Sequence, residues 1–202
     1  MTVLASETAL RDCYTAPNEM VQKKILPHLD RHARAFIALS PMVMLATSGP
    51  DGADCSPRGD APGFVHVADD STLLLPDRRG NNLIDSLRNV VQSPQVGLLF
   101  LVPGINETLR VNGSARVISD AARLAPMAVQ GRAPASALEI AVREVFFHCG
   151  KALIRSELWN PDRHVPRGNF PTLGRIIADQ IAGIDAEAAD ANLAEGYKAR
   201  LY

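Results

Sequence analysis

The chain is poor in cysteine, in aromatic residues and in net charge, and each shortage excludes something. Only three of its 202 residues are cysteine, Cys13, Cys55 and Cys149. An odd number at such wide spacing argues against a disulfide framework and against a structural zinc site. It fits a reducing setting, so a cytoplasmic location is expected. Aromatics are 5% of the chain, with one tryptophan, Trp159, which leaves little surface for stacking nucleic-acid bases. A formal charge of -1 gives no general basic face for nucleic acid, though a local basic pocket remains compatible with it. No apolar run is long enough for a membrane span; "PQVGLLFLVPG" suffices only for a strand. The first residues, "MTVLASETALRD", lack the basic region and apolar core of a secretory signal. Neither a nucleic-acid nor a membrane partner is expected.

The length suits one domain over 1–202, with a helical N-terminal segment about 17–39 and a C-terminal helical extension about 172–202. Residues 17–39 follow a helical period divided by Pro27. His28 and His32 are four apart and could share a helical face, but a helix surface is a simpler reading than a metal site. "PMVMLATS" (41–48) reads as a buried strand, "GPDGAD" as a turn, and 53–56 as a short strand. Residues 63–69 and 71–76 form a hairpin across Asp69 and Asp70. "NNLIDSLRNVV" (81–91) is an amphipathic helix, capped by Asn81 or Asn82. "QVGLLFLV" is a central strand, and "ETLRVNGSARVIS" is a long strand interrupted near Gly113. Residues 121–145 read as mostly helical with a loop around "QGRAPAS", and helices close the chain. Strands this closely spaced do not suit βαβ units. The expected fold is mainly β with α additions, an antiparallel barrel that is closed or nearly so.

Two motifs carry candidate chemistry. In "SPRGD", Pro57 and Gly59 flank Arg58, a planar donor suited to phosphate or to a carbonyl-rich ring. The plainer reading is an exposed turn with an Arg58–Asp60 surface pair. In "PDRRGNN", Arg78 and Arg79 lie between a strand and a helix start, where free N–H groups favour an anion. The plainer reading is a solvated turn. No Walker-type glycine pattern accompanies them.

Taken together, "SPMVMLATSGPDGADCSPRGDAPGFVHVADDSTLLLPDRRGNNLIDSLRNVVQSPQVGLLFLVPG", "ETLRVNGSARVISD" and "FFHCGKALIRSELW" resemble the pyridoxamine-phosphate-oxidase-like flavoproteins, in a divergent bacterial FMN-dependent branch. The resemblance covers most of the chain. It implies an FMN-binding split β-barrel and a homodimer holding two FMN molecules at its interface. Arg58 looks like the family's flavin-proximal arginine. Asp77, Arg78 and Arg79 occupy the place of a serine-arginine-lysine segment that binds the FMN phosphate. Asp77 departs from the serine, and Arg79 keeps the charge of the lysine. Leu75 and Pro76 match the strand end beside the flavin, and Asn81 and Asn82 either hold the phosphate loop or cap the helix. Arg110 and Asn112 stand near the flavin on an interface strand, with Glu107 in a structural or interface role. Lys151, Arg155, Ser156 and Trp159 approach the FMN of the partner subunit; for Trp159, packing against the barrel is the competing role.

The implied activity is that of an FMN-dependent oxidoreductase served by a small-molecule electron donor or substrate, with the redox step carried by the cofactor. The alternatives are a non-enzymatic flavin-binding or stress-associated protein, or a related barrel using deazaflavin or haem. No residue is assigned as catalytic. Cys149 and His148 are neighbours on a strand-like stretch, point to opposite faces, and make no obvious nucleophile pair.

Overall fold

The computed structural model describes residues 3–202. Seven strands form its centre: β1 (Met42–Gly49), β2 (Gly52–Gly59), β3 (His66–Val67), β4 (Thr72–Asp77), β5 (Gln95–Leu101), β6 (Thr108–Ile118) and β7 (Ser136–His148). They make one antiparallel sheet in the order β2-β1-β5-β6-β7-β4-β3. β1 and β2 turn on Pro50 and Asp51, with Gly52 at φ +118°, a conformation that favours glycine. The β3–β4 turn is held by Asp69, whose Oδ1 accepts from the Ser71 N–H at 2.7 Å and the Ser71 hydroxyl at 2.8 Å.

This arrangement corrects the barrel expectation. The sheet is open, β2 and β3 are its unpaired edges, and the fold is mixed α/β rather than a split β-barrel. The local causes are visible. β2 carries Pro57, which has no N–H to offer a further strand and is tolerated at sheet edges. β3 is only two residues long and pairs only with Leu73 and Leu74, so the end of β4 is left without a neighbour on that side. Side chains rather than backbone span this gap: Arg58 Nη1 lies 3.0 Å from Asp77 Oδ1, and Arg78 Nε lies 2.6 Å from Asp60 Oδ2.

Helices α1 (Glu7–Cys13), α2 (Glu19–Lys23) and α3 (Arg31–Leu39) precede the sheet, and the break between the last two contains Pro27. His28 lies before α3 and His32 within it, so the two do not share a helix. Asp30 caps α3 by accepting from the His32 and Ala33 N–H groups, and Ala33, Phe36 and Ile37 turn one face into the core. There they meet Val43, Leu45, Leu98, Phe100, Leu109, Val111 and Ile140, together with Val90 of α4 (Asp85–Gln92).

Two further expectations are corrected. Of residues 121–145, only α5 (Ala121–Leu124) is α-helical, followed by a 3-10 turn over Ala125–Met127. "SALEIAVRE" is rich in helix formers, yet it lies within β7, paired with both β6 and β4 and with Leu138 and Ile140 buried. Tertiary pairing overrides local propensity there. The other concerns α4, which begins at Asp85 with Ile84 as N-cap, so neither Asn81 nor Asn82 caps it. Asn81 Oδ1 instead accepts from the Leu83 N–H at 3.0 Å. The chain closes with α6 (Lys151–Ser156), α7 (Leu173–Gln180) and α8 (Ala186–Ala199).

The interruption near Gly113 is a β-bulge. Asn112 pairs with Glu144 and Gly113 with Val142, leaving Arg143 as the extra residue. A Cβ on Gly113 would sit 2.1 Å from the Ala141 carbonyl oxygen. Relieving that overlap requires backbone movement between two long strands. Gly113→Ala is expected to lower stability by about 2–3 kcal/mol; an unchanged denaturant midpoint would contradict this account of the bulge.

Candidate functional site

At the gap between β2 and the end of β4 the molecule has a cavity of about 520 Å³. Asp54, Ser56 and Arg58 of β2 form one wall. Residues 77–87, from the last residue of β4 into the start of α4, form another. Arg132, Ala133, Pro134, Ala135 and Tyr202 complete it. The alternation of β2 turns Asp54, Ser56 and Arg58 to one side, with their exposed neighbours on the other.

A polar chain lines this wall. Arg58 donates from Nε and Nη2 to Ser56 Oγ, each at 3.3 Å, and from Nη1 to Asp77. Ser56 Oγ is 3.1 Å from Ser86 Oγ, and the Ser86 hydroxyl donates to Asp54 Oδ2 at 3.1 Å. The Thr47 hydroxyl reaches the same carboxylate oxygen at 3.4 Å, and Asn89 Nδ2 donates to Thr47 Oγ1 at 3.1 Å. Arg58 is therefore held in one orientation on the cavity wall, and Asp77 helps to hold it there.

Arg78 and Arg79 are adjacent but differ in state. Arg78 is mostly buried: its Nε donates to Asp60, and its Nη1 donates to the Met127 carbonyl at 2.8 Å. Arg79 is exposed, lines the cavity, and makes no ion pair or side-chain hydrogen bond among the described residues. Beside it the backbone passes through Asn82 at φ 62° and Ile84 at φ 52°. Ile84 offers α4 no side-chain cap, so the N–H groups of its first turn remain available. An acid, Asp85, sits in that turn, with its carboxylate 3.3 Å from Arg88. Four arginines and three aspartates line the cavity, a small positive excess. The arrangement can receive an anion at Arg79 and the start of α4, and the rest of the cavity has space for the body of a small molecule, within the range of roughly 300–1,000 Å³ usual for such sites.

Asp60 is a deeply buried ionised group at this end, with its side chain 2% exposed. Burial pushes its carboxyl upward, but the Ala61 N–H, the Tyr202 hydroxyl and Arg78 together hold it below its ordinary value of 3.8. The Tyr202 phenol is raised, first by the hydrogen bond it donates to Asp60.

Of the residues singled out in the sequence, the structure gathers Arg58, Arg78, Arg79, Asn81 and Asn82 around this cavity. Leu75 and Pro76 are buried in β4 immediately before it and do not line it. The others stand elsewhere. The Arg110 guanidinium lies 4.1 Å from the Phe146 ring centre and 3.7 Å from Glu144, with its buried Nε unpartnered. Asn112 Nδ2 donates to Glu144 at 2.9 Å, and Glu107 is exposed. Lys151 and Arg155 are exposed on α6, and the Ser156 hydroxyl donates to the Leu153 carbonyl at 3.1 Å. The Trp159 Nε1 donates to the Ile105 carbonyl at 2.9 Å.

Sequence reasoning missed Asp54, Ser86, Arg132 and Tyr202, and its plainer reading of Asp60 as the surface partner of Arg58 is corrected: Arg58 pairs with Asp77, and Asp60 is buried against Arg78. Ser86 had a readable signal, since it stands four residues before the buried Val90 on one face of α4. Tyr202 had none, because its partners lie 142 and 70 residues away.

No helix of the described residues is long and apolar enough to cross a membrane. The family model for pyridoxamine 5'-phosphate oxidase matches residues 29–149. No curated protein matches the chain. Among solved structures, HupZ of Group A Streptococcus is similar over 58% of this chain and 92% of its own, at 16% identity and a TM-score of 0.47. An FMN-binding protein of Syntrophomonas wolfei is similar over 58% of this chain and 84% of its own, at 12% identity and a TM-score of 0.45. A Clostridium acetobutylicum protein related to general stress protein 26 is similar over 58% of this chain and 85% of its own, at 16% identity and a TM-score of 0.44. The assignment of the chain rests on the family match, which takes in β1 to β7 and the cavity residues other than Tyr202.

Proposed function

The chain belongs to the pyridoxamine 5'-phosphate oxidase family, and on that premise we propose that it is an FMN-dependent oxidoreductase whose phosphate site is Arg79 and the start of α4. Family membership supports a general flavin-binding role. The observation that carries the finer reading is Arg79: a cation lining the cavity, without a partner among the described residues, beside an uncapped helix start. A phosphate there gains charge-assisted hydrogen bonds.

The other cavity residues take complementary parts. Arg58, fixed by Ser56 and Asp77, presents a planar donor set to an electron-rich ring edge and favours negative charge developing there. Arg78 adds positive potential behind the phosphate position. Asn81 and Asn82 shape the loop that carries Arg79, and Leu75 and Pro76 form the packed strand end from which it departs. FMN, when bound, supplies reversible two-electron chemistry. A small-molecule donor or substrate completes the reaction.

Arg110, Asn112, Lys151, Arg155, Ser156 and Trp159 lie outside this cavity, and the reading assigns them to the flavin site of a second copy in a homodimer. Anaerobic mixing of the FMN-loaded protein with NADH, NADPH and pyridoxamine phosphate tests the activity. Bleaching of the flavin absorbance by at least one donor is expected. Stable FMN binding with no reduction by any of them would contradict the enzymatic reading and favour a flavin-binding protein.

A further inference from the structure

Tyr202 stands far in sequence from the residues it hydrogen-bonds. α7 and α8 pack chiefly on each other and bury little else. Beyond them the chain returns to the cavity. There the Tyr202 hydroxyl donates to Asp60 Oδ1 at 2.8 Å, and Arg132 Nη1 donates to the Tyr202 main-chain oxygen at 3.2 Å. The Arg78 guanidinium carbon is 6.0 Å from the centre of the tyrosine ring.

Asp60 is the common partner. One of its oxygens accepts from Tyr202 and from the Ala61 N–H at 2.7 Å, and the other accepts from Arg78. A carboxylate with so little exposure has no water to replace a lost donor. Its rotamer, and with it the direction of Arg78, depends on all three.

We propose that Tyr202 is a positioning residue for phosphate recognition, acting through Asp60 to fix Arg78 on the cavity wall beside Arg79. The proposal rests on the reading that this cavity takes FMN. It gives the C-terminal segment a task in ligand selection that neither helix α7 nor α8 performs. The raised phenol and lowered carboxyl agree with a hydrogen bond that keeps its proton on tyrosine.

The test compares FMN with riboflavin, which keeps the ring and lacks the phosphate. Tyr202→Phe retains the ring and removes the donor. It is expected to reduce the preference for FMN about fivefold, with riboflavin affinity unchanged. In an Asp60→Asn background the same substitution is expected to have no further effect. In the ligand-free protein, NMR titration of the Asp60 carboxyl is expected to move upward in Tyr202→Phe. A full FMN preference in the variant would overturn the proposal, as would an equal loss for both ligands, which would make the tyrosine only a wall for the ring. If wild type fails to prefer FMN, the functional reading itself falls. The ligand-free Asp60 titration then decides the Tyr202 link alone, and an unmoved carboxyl would overturn it.

Discussion

Arg78→Ala is expected to cost about 3 kcal/mol of folding stability, the low end for breaking a buried ion pair. The substitution leaves the Asp60 carboxylate, 2% exposed, without the cation that lies 2.6 Å from it. The Ala61 N–H and the Tyr202 hydroxyl remain, so the loss stays at the lower end. The Met127 carbonyl also loses its donor. Asp60→Asn in the same background is expected to recover a substantial part of the loss by removing the stranded charge. The acid limb follows from the lowered Asp60 carboxyl. Because the folded value lies below the ordinary 3.8, its contribution is present above that value and is lost as pH falls through the folded one. In Arg78→Ala burial acts on the carboxyl with less opposition, and acid unfolding is expected to begin at higher pH. Urea midpoints across pH for the wild type and both variants measure this. A loss under about 1 kcal/mol would mean that the pair is solvated like an ordinary surface bridge.

Arg79→Ala is expected to weaken FMN about tenfold or more, with riboflavin affinity and folding stability nearly unchanged. Arg79 is exposed and holds no other group among the described residues, so its removal strands nothing in the fold. Water screens an exposed guanidinium, which keeps the effect below that of a buried charge-assisted pair. Arg79→Lys is expected to retain most of the affinity, since a point charge also serves phosphate. Flavin fluorescence titration with both ligands measures the double difference. Equal losses for FMN and riboflavin would place Arg79 against the ring rather than the phosphate.

The two arginines show what a sequence can carry and what it cannot. Their position between a strand and a helix was legible from "LLLPDRRGNN", as was the family from the wider set of motifs. Their different states were not, because Asp60 reaches Arg78 through the approach of β2 to the end of β4, eighteen residues apart in the chain. Strands whose pattern and turns agreed with their tertiary setting were readable. β1, β5, the β3–β4 turn and the interruption of β6 are of this kind. β7 was not, since "SALEIAVRE" favours a helix until two neighbouring strands claim its backbone. Closure of the sheet was misjudged for a related reason. Strand propensity says nothing about whether the edges meet, and here Arg58–Asp77 and Asp60–Arg78 occupy the gap instead of a ladder. The capping role given to Asn81 and Asn82 failed because the chain makes two left-handed steps, at Asn82 and Ile84, before α4 can begin.

The most direct test of the account is equilibrium titration of the wild-type protein with FMN and with riboflavin, followed by flavin fluorescence. The account predicts saturation at one FMN per chain, with FMN bound at least about tenfold more tightly than riboflavin, as a charge-assisted phosphate contact requires. Absence of binding by either ligand, or equal affinity for both, would contradict it.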